Sequence, residues 1–201
     1  MKTGTRTVCF TFGLLLSAAG LAQDGNGFST EIKQKAQQCM TCHGENGHSK
    51  NGQYPSLAGQ KTTYLYTQLQ NFMQGRRKDP VMTPQAQTIK DKEQAIKLAE
   101  YFSHFEPFDY SVKEDGGFQL DPDKVEKGRK IAKKNQCASC HGSGLTGSGS
   151  MPRISGQQPA YLEEELKAFR DGTRHASVMN SVIGDMTNKE IEALVHYITS
   201  L

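Results

Sequence analysis

Apolar residues recur along this chain at helical spacing. Ile191, Leu194, Val195 and Ile198 fall three and four positions apart, one face of an amphipathic helix. Thr187 and Glu190 precede that stripe as a capping box, and Asp91 and Gln94 open another helix in the same manner. Gly75 and Gly172 stand where helices commonly end in a left-handed residue, and they close central helices over about 64–74 and 160–171. Two further helices begin at Thr30, read as an N-cap, and at Asp121-Pro122-Asp123, where Asp caps and Pro takes the first helical position. No segment alternates as a strand would, so the pattern predicts an all-α chain.

The helices come in two sets, because the chain repeats itself. Pro55-Ser56-Leu57-Ala58-Gly59-Gln60 corresponds to Pro152-Arg153-Ile154-Ser155-Gly156-Gln157, at an offset of 97. Tyr64, Leu65, Leu69, Phe72, Gly75 and Met82 find Tyr161, Leu162, Leu166, Phe169, Gly172 and Met179 at the same offset, and the end region around 99–102 meets 196–198. Upstream, Cys39-Met40-Thr41-Cys42-His43 pairs with Cys137-Ala138-Ser139-Cys140-His141 at an offset of 98, so one residue is lost between motif and proline. Two tandem units follow from this self-similarity. Pro107, a run of charges and Gly116-Gly117 mark a linker at 108–120 between units at 23–107 and 121–201. At about 80 residues each, these units have little apolar core of their own.

The start of the chain reads as an export signal. Lys2 and Arg6 precede an apolar stretch over 10–21, and small residues end it at Ala22, so residues 1–22 are expected to be removed. The stretch is too short for a membrane span, and Cys9 would leave with it. The mature chain then keeps 22 Lys+Arg against 21 Asp+Glu, a formal charge of +1. Such a balance gives no support for nucleic-acid binding. Nor is there another segment long and apolar enough to cross a bilayer. The expected compartment is the periplasm.

The remaining four cysteines all sit in the two C-x-x-C-H motifs, the attachment site of a covalent c-type haem. On a helical turn, residues three and four apart share a face, so two thiols can meet the two haem vinyl groups while the next residue offers its imidazole to iron. Two other readings compete. Cys and His also bind zinc, but zinc ribbons separate their Cys pairs by about 15–20 residues, far less than the distance from Cys42 to Cys137. A disulfide would leave the paired histidines as coincidence. Two covalent haem c groups are therefore expected, held by Cys39 and Cys42 and by Cys137 and Cys140, with His43 and His141 as axial iron ligands.

The sixth ligand decides between carrying electrons and binding small molecules. Met40, Met73, Met82, Met151, Met179, Met186, His48, His104, His175 and His196 are candidates, although methionines commonly fill cores and lone histidines are commonly packed or solvated. The repeat sorts them. Met82 lies 39 residues after His43 and Met179 lies 38 after His141, and no other Met or His occupies matching places in both halves. His/Met ligation leaves iron no vacant position, and thioether sulfur raises the potential. Pro55 and Pro152 either present carbonyls to the second ring nitrogens of the histidines or merely shape a turn.

Paired C-x-x-C-H units, each followed by P-x-[LI]-x-G-Q, Y-L and a late Met, resemble the dihaem cytochrome c4 family over roughly residues 28–201. The resemblance implies two cytochrome c folds related by a pseudo-twofold, His43/Met82 and His141/Met179 ligation, and proline carbonyls on both ligating histidines. It further implies electron delivery from a donor dehydrogenase or quinol-oxidising complex to a terminal oxidase or reductase. One departure is the short segment 74–79 before Met82.

An electron carrier rather than an enzyme is thus expected, and the alternative is an electron-transfer subunit of a periplasmic dehydrogenase. A peroxidase or gas sensor would need an open iron position, against the paired methionines. Lys124, Lys127, Arg129, Lys130, Lys133 and Lys134 crowd the helix entering the second motif, as a solvated face or as a docking site for an acidic partner at membrane complexes. The glycines at 142–149 follow no strand and read as a loop around the haem, not a phosphate cradle.

Overall fold

A computed structural model describes residues 27–107 and 118–201, and among them the chain is helix and turn, with an isolated bridge between Ser148 and Met151 in place of any strand. The expected signal at 1–22 and most of the linker at 108–120 lie outside the described residues. In the first half α1 spans Thr30–His43, α2 Thr62–Met73, α3 Met82–Gln87 and α4 Lys92–Ser103. In the second, α5 spans Pro122–Lys134, α6 Cys137–His141, α7 Pro159–Arg170, α8 Ser177–Ile183 and α9 Asn188–Thr199.

Local chemistry accounts for most of these boundaries. Asp121 caps α5 through Asp123 and Lys124, and Thr187 and Glu190 form a reciprocal capping box on α9. Gly75 and Gly172 follow α2 and α7 with φ of 67° and 71°. Two start signals are corrected. Ser29, not Thr30, caps α1, its extended backbone letting the hydroxyl accept from the Ile32 N–H. Gln94 returns its side chain to the Lys90 N–H rather than to the cap residue Asp91, so α4 has half of a capping box. The helix entering the second motif is also broken. Asn135 turns its amide back to the Ile131 carbonyl, and Gln136 adopts a left-handed φ of 53°, ending α5 before Cys137. The equivalent stretch of α1 runs unbroken into its motif.

Each half buries its own core. Ile32, Ala36, Leu65, Leu98, Ala99 and Phe102 form the first, and Ala132, Leu162, Leu166, Ile191, Leu194 and Ile198 the second. The α9 stripe read from the sequence is thus the face it buries, each large side chain contributing about 1.5–3 kcal/mol. Met186 belongs to this core, as its lack of a matching methionine implies.

The halves meet through the P-x-x-x-G-Q segments. Gln60 receives the Arg153 N–H and donates to the Arg153 carbonyl, both at 2.8 Å. Gln157 receives the Ser56 N–H at 2.8 Å and donates to the Ser56 carbonyl at 3.0 Å. Gln60 and Gln157, like Ser56 and Arg153, are repeat equivalents, so the exchange is reciprocal, as a pseudo-twofold demands.

The start of α5 is tied to α9 by a titratable group. The Asp121 N–H donates to Nδ1 of His196 at 3.1 Å, and Phe118 lies 4.6 Å from that ring, so only the neutral imidazole fits as acceptor. Burial, and then the Lys124 ammonium, hold the His196 pKa below the usual histidine value. Its unfolded form therefore takes up a proton first as pH falls. The His196 contribution is complete above about pH 6.5 and is lost as pH drops toward its lowered folded value. Thermal midpoints of the holoprotein between pH 8 and 5 should fall on the acid side, and His196→Asn should flatten that slope; an unchanged slope would remove His196 as its source.

Candidate functional site

The end of α1 carries Cys39, Cys42 and His43 on one face, and α6 presents Cys137, Cys140 and His141 alike. Glycine is required immediately afterwards. Gly44 has a φ of 77°, and a Cβ there would lie 2.0 Å from the His48 carbonyl oxygen; Gly142 repeats the conformation at 78°. This turn sends the chain back under its histidine, where the proline segment waits. Leu57 and Ala58 N–H groups donate to the Gly47 carbonyl, and Ile154 and Ser155 do the same to Leu145. The repeat thus holds at the level of single loop hydrogen bonds, despite the lost residue.

Both histidines are buried and oriented identically. Nδ1 of His43 lies 2.8 Å from the Pro55 carbonyl oxygen, and Nδ1 of His141 lies 2.9 Å from that of Pro152. A carbonyl only accepts, so Nδ1 carries the proton and Nε2 keeps its lone pair. Burial lowers the His43 pKa, with the Pro55 hydrogen bond in opposition, which favours the neutral ring that binds metal. The alternatives left open for the prolines resolve: their carbonyls do orient the rings, which is how ligating histidines are commonly held.

The thiols are available. Among the described residues no cysteine is in a disulfide, and burial pushes the Cys39 and Cys137 thiols up, leaving them protonated at neutral pH. No three His, Cys, Asp or Glu side chains among the described residues converge as a metal-holding group. Two thiols and one imidazole with a free Nε2, repeated in each half, fit a covalently attached haem.

Met82 and Met179 occupy matching turns. The Asp79 N–H donates to Thr83 Oγ1 at 2.9 Å, and the Thr83 N–H returns to the Asp79 carbonyl at 3.1 Å. Ala176 and Asn180 make the same pair of bonds, at 2.8 and 2.9 Å. Each methionine directly precedes the second member of its pair and is half-buried. Asn180 further donates to the Phe169 and Arg174 carbonyls, tying its turn to the end of α7. The helices bearing these turns, α3 and α8, are only 6 and 7 residues long, too short for their pattern to stand out, and are missing from the sequence reading.

The other candidates are placed elsewhere. His48 bonds the Glu106 carbonyl, His104 lies among Phe28 and Phe105, His175 is exposed, and Met151 is 41% exposed. Met40 and Met73 pack on the first core. On α5, Lys124 pairs with Glu192 at 2.6 Å, and Glu126 takes both Arg129 and Lys130, so three of the six cations of that face contact carboxylates.

Comparison with known proteins adds a third line. The cytochrome c family model matches twice, over residues 29–105 and 125–201. Cytochrome c4 of Pseudomonas aeruginosa is 32% identical over 202 residues, covering 94% of this chain and 95% of that one. A thiosulfate dehydrogenase electron acceptor from Thiomonas intermedia is 30% identical, covering 83% and 79%. The crystal structure of reduced recombinant cytochrome c4 from Pseudomonas stutzeri superposes with a TM-score of 0.74 at 30% identity, over 90% of this chain and all of that one.

Proposed function

The chain belongs to the cytochrome c family as a dihaem cytochrome of the c4 type, and from that premise we propose that it is a periplasmic relay passing electrons from respiratory donors to a terminal oxidase or reductase. It carries two covalent haem c groups and transfers electrons rather than catalysing a reaction. The haems, when bound, supply one-electron exchange at iron.

The chain's own residues do the rest. Cys39 and Cys42 anchor the first haem and Cys137 and Cys140 the second, in domains at 23–107 and 121–201. Nε2 of His43 and of His141 would bind the iron, because Nδ1 is committed to a proline carbonyl. Met82 and Met179 would supply the second ligand to each iron, a thioether that would keep other ligands out and favour the reduced state. The observation that carries this reading is the matching pair of hydrogen bonds that closes the turn at each methionine. Export is supported by the apolar, positively led segment at the start of the sequence.

The relative from Thiomonas intermedia favours a second reading, in which the chain serves one dehydrogenase as its dedicated electron acceptor. Stable co-purification with a dehydrogenase would select it. For the relay itself the deciding experiment is a spectroscopic redox titration of the mature protein with haem quantified. Two haems per chain, the far-red methionine–ferric band and high potentials are expected. Carbon monoxide binding to the native reduced protein would overturn the ligation.

A further inference from the structure

The side chains that cross between α2 and α7 are repeat equivalents, with one substitution between them. Tyr64 answers Tyr161, and Arg77 answers Arg174. Each guanidinium also lies over the phenylalanine of its own half, Phe72 at 4.6 Å and Phe169 at 4.5 Å. Arg77 donates to Gln68 Oε1 at 2.9 Å and to the Tyr161 hydroxyl at 3.1 Å. Arg174 donates to the Tyr64 hydroxyl at 2.9 Å and to the same Gln68 oxygen at 3.0 Å. Burial pushes the Tyr161 phenol up to about 12, so it remains a neutral partner.

The symmetry breaks at positions 68 and 165. One half supplies Gln68 and the other Glu165, whose two carboxylate oxygens take Arg77 and Arg174 respectively. The two guanidiniums are 13% and 11% exposed and the carboxylate 16%, so water screens them weakly. Two like charges facing each other across a dry interface repel. Glu165 is the anion that binds both, and Gln68 offers only a dipole. The neutral Gln60/Gln157 exchange can align the halves but supplies no comparable attraction.

We propose that Glu165 is the positioning residue of the interdomain interface: bridging Arg77 and Arg174, it holds the two haem domains in one register and thereby fixes the path between their haems. This rests on the dihaem assignment but on neither methionine. Losing the anion leaves two buried guanidiniums opposed; moving it to position 68 restores the bridge from the other side.

The test compares Glu165→Gln with the charge-swapped Gln68→Glu/Glu165→Gln, both as mature holoprotein. Interhaem electron transfer is followed after pulsed partial reduction, and unfolding by calorimetry. Glu165→Gln should slow interhaem transfer several-fold and uncouple the unfolding of the two domains. The swapped variant should recover both properties. Haem content and the far-red methionine band should match the parent throughout, which separates loss of domain register from loss of ligation. A parental interhaem rate in Glu165→Gln overturns the proposal, as does a swapped variant that stays defective. Should Glu165→Gln fail to accumulate, the swapped variant decides alone: parental behaviour supports the bridge, and continued failure overturns it.

Discussion

Met82→Ala should yield a protein with both haems still covalently attached, but with one iron open to carbon monoxide and a lowered potential. Attachment depends on Cys39 and Cys42, at the end of α1 and remote in sequence from the substituted turn. That turn closes through the Asp79 backbone and the Thr83 backbone and hydroxyl, none of which alanine disturbs. Folding should therefore survive, and the change concentrates at iron. Loss of the thioether would remove the proposed ligand that favours ferrous haem, so the potential should fall by on the order of 100 mV, a fraction of the ~0.8 V that axial ligands span. About half of the far-red band should vanish. Met179→Ala should remove the other half, and the double variant all of it. A Met82→Ala protein that kept the full band and refused carbon monoxide would mean another residue holds that position.

That prediction draws on features the sequence displays openly. The motif spacing, the 97-residue offset and the glycines after α2 and α7 are properties of short strings, and the structure honours each of them. From spacing alone the proline carbonyls are legible only as one of two options, since spacing places a residue near a ring without orienting its oxygen; the family resemblance supplies the choice. Other features were hidden for physical reasons. Ser29 and Thr30 both cap helices by nature, and only backbone conformation chooses between them. Pro84 discourages a helix reading around Met82, yet it sits in the first turn of α3, where its missing N–H costs nothing. The left-handed Gln136 breaks α5 at a residue with no such preference. The bridge at Glu165 joins residues 88 positions apart in sequence. Periodicity does not report such contacts, although the repeat aligns Tyr64 with Tyr161.

Gly128→Ala tests a contact of the same long-range kind, and it should destabilise the second domain although alanine is the better helix former. Intrinsic propensity favours the change by about 1 kcal/mol. Packing opposes it. Gly128 is buried in α5 where that helix crosses α9, and a Cβ there would lie 2.0 Å from the Ala193 carbonyl oxygen and 2.7 Å from Cβ of Tyr197. Backbone cannot rotate away as a side-chain tip would, so the helices must separate. Separation would loosen the contacts of Ile191, Leu194, Val195 and Ile198, which form the apolar face of α9. Overpacking of this kind costs about 1–3 kcal/mol, and the backbone clash places Gly128 at the upper end. A net loss of about 2 kcal/mol should lower the thermal midpoint of a domain this size by roughly 10 °C. Because α5 leads through Asn135 and Gln136 into the second haem motif, displaced packing should also reduce occupancy at Cys137 and Cys140 while the first haem stays at full occupancy. Unfolding monitored by haem absorbance, with haem counted per chain, reads both effects. A variant as stable as its parent would show that α5 and α9 lie further apart than the glycine contact requires.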